Sequence, residues 1–181
     1  MADKVKYWRF QNQVNTVLKA QEYLRSKGIV PRKMRVKDLS NLLEFASFED
    51  DEEMQGKWAA LLAHAADPNN EFDMCSVFAQ VLNQLSPHEV RILDYMFTKS
   101  FWKSDRDRPF FKRREIVGRC FVNYRVSLLI FDNLLRLRLI ETDMDQITGI
   151  DDTGHSYGIQ EPREVRLSEF GVEFVRQSRL T

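Results

Sequence analysis

The sequence predicts a mainly α-helical protein in two parts: an N-terminal four-helix unit over residues 1–85, and a second domain over residues 86–181 that ends in a short β-hairpin and a closing helix. Three observations carry this. Apolar residues recur at intervals of three and four along most of the chain, the pattern of helices with one apolar face. Only 7 Gly and 5 Pro interrupt 181 residues of which 43% are hydrophobic and 30% charged, a folded composition that excludes long disorder, collagen and low-complexity architectures. The two segments that read as strands lie near the C-terminus, on either side of a long loop bearing Gly149, Gly154 and Gly158.

Tyr7, Phe10, Val14, Val17, Leu18 and Leu24 recur at helical spacing and the pattern stops at Gly28, with Pro31 just beyond, which predicts a first helix of about six turns. A second helix runs from near Val36 through Leu39, Leu42, Leu43 and Ala46. Ser47 then precedes Glu49, Asp50 and Asp51, an N-cap followed by carboxylates suited to the positive end of a helix dipole. Met54, Trp58, Leu61, Leu62 and Ala65 form the stripe of that third helix, in which Trp58 reads as a core residue. After the loop Asp67-Pro68-Asn69-Asn70, a fourth helix carries Val77, Phe78, Val81, Leu82 and Leu85.

Ser86-Pro87-His88-Glu89 is the sharpest local signal: Ser at the N-cap, Pro at the first helical position and Glu at the third satisfy the exposed amides of a helix start. A fifth helix follows through Val90, Leu93, Met96 and Phe97, and the boundary between the two parts falls here without a Gly- or Ser-rich linker. Next come a charged loop (101–109), a short helix near Lys112 to Arg119, a long helix from about Asn123 to Leu137 and a strand over Leu139 to Thr142. A second strand, Glu164 to Leu167, and an amphipathic helix over 168–179 close the chain. Three helices followed by a hairpin with a long tip (139–167) resemble a winged-helix domain, and LLRLRLIETD with VRLSEFGVEFV looks like its last helix, wing and closing turn.

NQVNTVLKAQEYLRSKGI (12–29), LLEFASFEDDEEMQGKWAALLAHAAD (42–67) and FAQVLNQLSPHEVRILDYM (78–96) resemble the abortive infection alpha family of bacterial proteins. The signature is the acidic run Glu49 to Glu53 followed by Lys57-Trp58-Ala59-Ala60-Leu61-Leu62-Ala63, with Ala60 where the family favours Asn in WANLLA. The resemblance spans roughly residues 12–142 and implies a setting in phage defence, without a catalytic motif to carry over. Members of the family generally have more sequence before the first helix, so a short or trimmed member is expected.

Net charge is zero, so the whole molecule does not advertise polyanion binding, but its distribution is uneven. Residues 1–37 carry ten bases against two acids, 44–53 six acids and no base, 99–119 eight bases against three acids, and 141–164 seven acids against Arg163. Such blocks suit self-association or docking. No stretch approaches the roughly 18 to 20 apolar residues of a bilayer-spanning helix and MADKVKYWRF lacks a signal-peptide core, so a cytoplasmic protein without a membrane span is expected. Cys75 and Cys120 form no CxxC pair, which points to reduced thiols, with Cys75 buried on a helix.

Chemistry is sparse. Glu49, Asp50, Asp51, Glu52 and Glu53 form the one dense carboxylate cluster; Asp50 and Glu53 could share a cation, but no third ligand stands at a fixed spacing, and a helix-start or acidic docking face is the simpler reading. His64, His88 and His155 form no HxH or HExxH pairing, and His88 reads as solvated. No catalytic residue, metal site or cofactor is assigned. On the long helix, Val126, Ile130, Leu134 and Leu137 fall within about 80° and should face the core. Leu128, Phe131 and Leu135 cluster nearly opposite, a second apolar stripe where a DNA-reading helix would show polar groups. That stripe suits packing by the first domain, a homodimer contact or DNA insertion. Lys103, Arg106, Arg108, Lys112, Arg113 and Arg114, interleaved with Phe101, Trp102, Phe110 and Phe111, keep weak nucleic-acid contact open. The expectation is a non-enzymatic interaction, sensing or assembly module that self-associates or binds a protein; a winged-helix DNA-binding regulator or antitoxin is the alternative, and a nuclease or other toxin the third reading.

Overall fold

The computed structural model describes residues 2–72, 74–100, 108–120, 123–142 and 164–180. Among these the protein is mainly helical, with eight helices and a small three-stranded antiparallel sheet. The chain divides into two compact units, Met1–Pro87 together with Arg176–Thr181, and His88–Val175. The expected tip of the hairpin, and with it His155, lies outside the described residues, as do Phe101, Trp102, Lys103 and Arg106.

The first unit contains α1 (Ala2–Ser26), α2 (Val36–Ala46), α3 (Glu52–Ala66) and α4 (Cys75–Leu82). Helix α3 is its centre, packing against the other three, and Met54, Trp58, Ala59, Ala60, Leu61 and Ala63 along it are fully buried. Trp58 is a core residue whose ring meets Phe45 at 6.2 Å. Two local expectations change. An apolar helical stripe ordinarily marks the buried face, yet α1 buries Asn12, Thr16, Ala20 and Leu24 and turns Tyr7, Phe10, Val14 and Leu18 outward. The physical reason is that small side chains on α1 meet the alanine-rich α3 closely, while Asn12 finds partners: its Nδ2 donates to the carbonyls of Ser47 (3.1 Å) and Glu49 (2.7 Å). The N-cap of α3 is Asp51, not Ser47; the Asp51 carboxylate accepts from the Met54 amide at 3.0 Å. Ser47 instead ends α2, its hydroxyl donating to the Glu44 carbonyl.

The second unit follows the order α5 (Pro87–Lys99), β1 (Phe111–Lys112), α6 (Arg113–Arg119), α7 (Tyr124–Arg136), β2 (Ile140–Thr142), β3 (Glu164–Leu167) and α8 (Glu169–Gln177), the last two residues of which fall in the first unit. Helix α5 begins at Pro87 as its start signal predicts, but Glu89 is buried and accepts from Asn133 Nδ2 on α7 at 2.6 Å. Strand β3 is central, pairing antiparallel with β1 (Phe111 opposite Val165) and β2 (Ile140 opposite Leu167). Val165 and Leu167 point inward and Glu164 and Arg166 the other way, the period-two alternation of a sheet with one buried face. Strand β1 takes Lys112, expected at the start of the short helix, because two residues carry no periodicity that would mark a strand.

Helix α7 shows one buried sector rather than two. Ile130, Phe131 and Leu134 are buried together, Leu128 and Leu135 flank them half-buried, and Val126, expected in the core, is 48% exposed. Ile130, Phe131 and Leu134 lie one turn or less apart, so a modest rotation from the expected axis merges one residue of the second stripe with two of the first.

Two helices end in the same motif with different residues. After α1 the Gly28 and Ile29 amides donate back to the carbonyls of Arg25 (3.0 Å) and Leu24 (2.9 Å), with Gly28 at φ 67°. After α7 the Arg138 and Leu139 amides donate to Leu135 (2.9 Å) and Leu134 (3.0 Å), with Arg138 at φ 57°. Both are Schellman caps, whose left-handed position favours glycine; the second holds an arginine.

Candidate functional site

The second unit carries a cavity of about 970 Å³ where the end of α7, the outward face of β2 and β3 and the start of α8 converge. The register sets its charged wall. Glu141 and Arg166 are direct partners on β2 and β3, so their side chains leave the same face, and Arg166 Nε donates to Glu141 Oε1 at 2.7 Å. The Arg166 guanidinium also lies over the Phe110 ring, 4.7 Å from its centroid, a cation–π contact that helps fix its position. Arg138 enters from the cap of α7, and Ser168 joins both ends: its hydroxyl donates to the Arg138 carbonyl and accepts from the Gly171 amide at 2.8 Å.

Arg108 completes the set. Its side chain is only 9% exposed, Nη1 donates to the Leu167 carbonyl at 3.3 Å, and the nearest carboxylate oxygens, of Glu141 and Glu169, stand 3.6 and 3.7 Å from Nη2. Its Nε–H is buried with no hydrogen-bond partner among the described residues. Arg108 and Arg166 thus meet two carboxylates, Glu141 and Glu169, the latter with a side chain 86% exposed to water, while Arg138 lines the same cavity. Leu135, Ile140 and Phe170 supply apolar lining, and Thr142 a hydroxyl.

The expected site residues are dispersed. Of the basic strip, Arg108 belongs to this cavity, the Arg113 guanidinium lies 4.5 Å over the Phe131 ring, and Lys112 and Arg114 face solvent. Of the second stripe, Phe131 is fully buried and not available to a partner, while Leu135 lines the cavity. The acidic run serves the start of α3: Asp51 caps it, Glu49 Oε1 accepts from the Asp51 amide at 3.1 Å, and Asp50, Glu52 and Glu53 are exposed. Among the described residues no three His, Cys, Asp or Glu side chains are placed to hold a metal ion. His64 is tied to the first unit, its Nδ1 2.9 Å from the Gln177 carbonyl, and Cys75 and Cys120 form no disulfide, Cys75 being buried. No described helix is long and apolar enough to cross a membrane.

Sequence reasoning missed Arg138, Arg166 and Glu141, which stand in the runs LLRLRLIETD and VRLSEF. The one local signal was a helix end without a glycine to take the left-handed position. No curated protein and no solved structure matches the chain. The family model for abortive infection alpha matches residues 10–178, and the chain belongs to that family.

Proposed function

We propose that the protein is a non-enzymatic component of phage defence that works by association with another protein, α1 supplying the contact face. One observation carries this reading: Tyr7, Phe10, Val14 and Leu18 lie within about 80° of one another around α1 and are 63, 61, 36 and 56% exposed. A contiguous apolar patch on a folded surface is characteristic of an interaction site. It lies opposite the face that Asn12, Thr16, Ala20 and Leu24 bury, so α1 has one side for its own core and one for a partner. The second unit is read as a winged-helix-like module, supported by the order α5, β1, α6, α7, β2, β3 and by the central place of β3 in the sheet.

The test is protection of a host in a phage plating assay, comparing the wild type with Phe10→Glu and Leu18→Glu. Both side chains are exposed, so the variants should fold and melt as the wild type does while protection is lost. Variants that protect fully would sink the reading. A winged-helix DNA-binding regulator or antitoxin is the second reading, favoured by that same element order. Against it, the outward face of α7 is mixed, with Leu129 (72% exposed) and Asp132 set beside Arg125 and Arg136, where a helix on a polyanion would present an unbroken polar and basic face.

A further inference from the structure

We propose that the cavity over β2 and β3 is a binding site for a small phosphate-bearing ligand of the nucleoside phosphate class, held by Arg108, Arg138 and Arg166. The proposal stands apart from the α1 contact face. Its first support is Arg108. A buried cation is costly unless its donors are satisfied, and Arg108 has an Nε–H without a partner among the described residues and two carboxylates only at 3.6 and 3.7 Å, beyond good hydrogen-bond distance. What the guanidinium lacks is a close acceptor rather than countercharge, and guanidinium forks suit phosphate oxygens.

Arg138 is the second support. It is exposed, its side chain has no hydrogen-bond or ion-pair partner among the described residues, and its backbone holds φ 57°, which favours glycine. The equivalent position after α1 is Gly28, at φ 67°. Backbone conformations of this kind cluster at functional sites, and here the residue borders the cavity. Arg166 is already oriented by Phe110 and Glu141.

Size and lining choose the ligand class. A cavity of about 970 Å³ lies at the upper end of small-molecule sites, far more than one inorganic oxyanion fills. Leu135 and Phe170 offer an apolar wall for a flat ring, and Glu169 an acceptor for hydroxyl or amino protons. The lining sets three arginines against the carboxylates of Glu141 and Glu169, a small positive excess that suits one phosphate group better than a continuous run of phosphates and so favours a small ligand over a nucleic-acid strand.

The experiment is calorimetric titration of the full chain with adenosine, guanosine, cytidine and uridine 5′-phosphates, with inorganic phosphate and a random-sequence DNA duplex as parallel arms. At least one nucleotide should bind at one site per chain and raise the melting temperature. Arg138→Gln removes an exposed, unpartnered charge without disturbing the core, so it should keep the fold and weaken that nucleotide at least tenfold; Arg108→Gln, if folded, should do the same. The proposal is overturned if no nucleotide binds at millimolar concentration, if inorganic phosphate binds as tightly as the nucleotides, if the duplex displaces them, or if Arg138→Gln binds as the wild type does.

Discussion

Gly171, in the first turn of α8, lies so close to the carbonyl group of Leu139 that a β-carbon at that position would overlap the oxygen. The contact seats α8 on the entry to β2, and Ser168 fastens the same corner through its amide and carbonyl partners. Because the obstruction is backbone, no side-chain rotation relieves it. Gly171→Ala should destabilise the protein by about 2 to 3 kcal/mol, the upper range for overpacking, read as a lowered urea midpoint. A midpoint equal to the wild type's would refute the close approach.

Asn12 holds α1 to the segment after α2 by donating to two carbonyls, and it is 4% exposed. Asn12→Leu keeps the bulk but strands the Ser47 carbonyl, while Glu49 keeps the donor Gln55 Nε2 at 3.1 Å. A cost of about 2 kcal/mol is expected from one unsatisfied buried acceptor. Were the apolar stripe of α1 the buried face, this substitution would instead be neutral, and equilibrium denaturation separates the two.

The two neighbours Asp50 and Asp51 should behave differently. Asp51→Ala removes the cap of α3 and should cost about 1 kcal/mol. Asp50→Ala, at an exposed position outside the helix, should change stability by no more than about 0.5 kcal/mol. Thermal melts of the pair decide; equal losses would remove Asp51 from its role.

Arg138→Gly should raise stability by as much as about 1 kcal/mol, since glycine adopts φ 57° without strain. A stability gain accompanied by weaker nucleotide binding would mark the arginine as kept for its side chain. A loss of stability in differential scanning calorimetry would place its value in packing instead.

Burial pushes the Cys120 thiol above its ordinary pKa, with nearby Arg91 opposing the shift more weakly. Fewer thiolates are then present at any pH below the shifted value, and thiolate is the nucleophile. Iodoacetamide at about pH 8.5, near the free-thiol pKa, should therefore alkylate Cys120 more slowly in the folded protein than in urea, as followed by mass spectrometry. Equal rates in the two states would contradict the shift.

Helix starts and stops were legible because their causes act over four residues or fewer. Pro87 opens α5, Gly28 closes the cap after α1, and Glu164–Leu167 is the strand expected at those bounds. The family resemblance was likewise carried by contiguous runs, and the family match over residues 10–178 extends it through the sheet and α8. Which face of a helix is buried depends instead on what lies opposite it. Periodicity located the stripe on α1, but the partners of Asn12 stand more than thirty residues away, and only their hydrogen bonds make a polar face the buried one. Strand β1 exists only because β3 accepts it. The cavity gathers Arg108 from the segment before β1, Arg138 from the turn after α7 and Arg166 from β3, and its charged wall is set by the register that pairs Glu141 with Arg166, a long-range pairing that no local spacing in the sequence encodes.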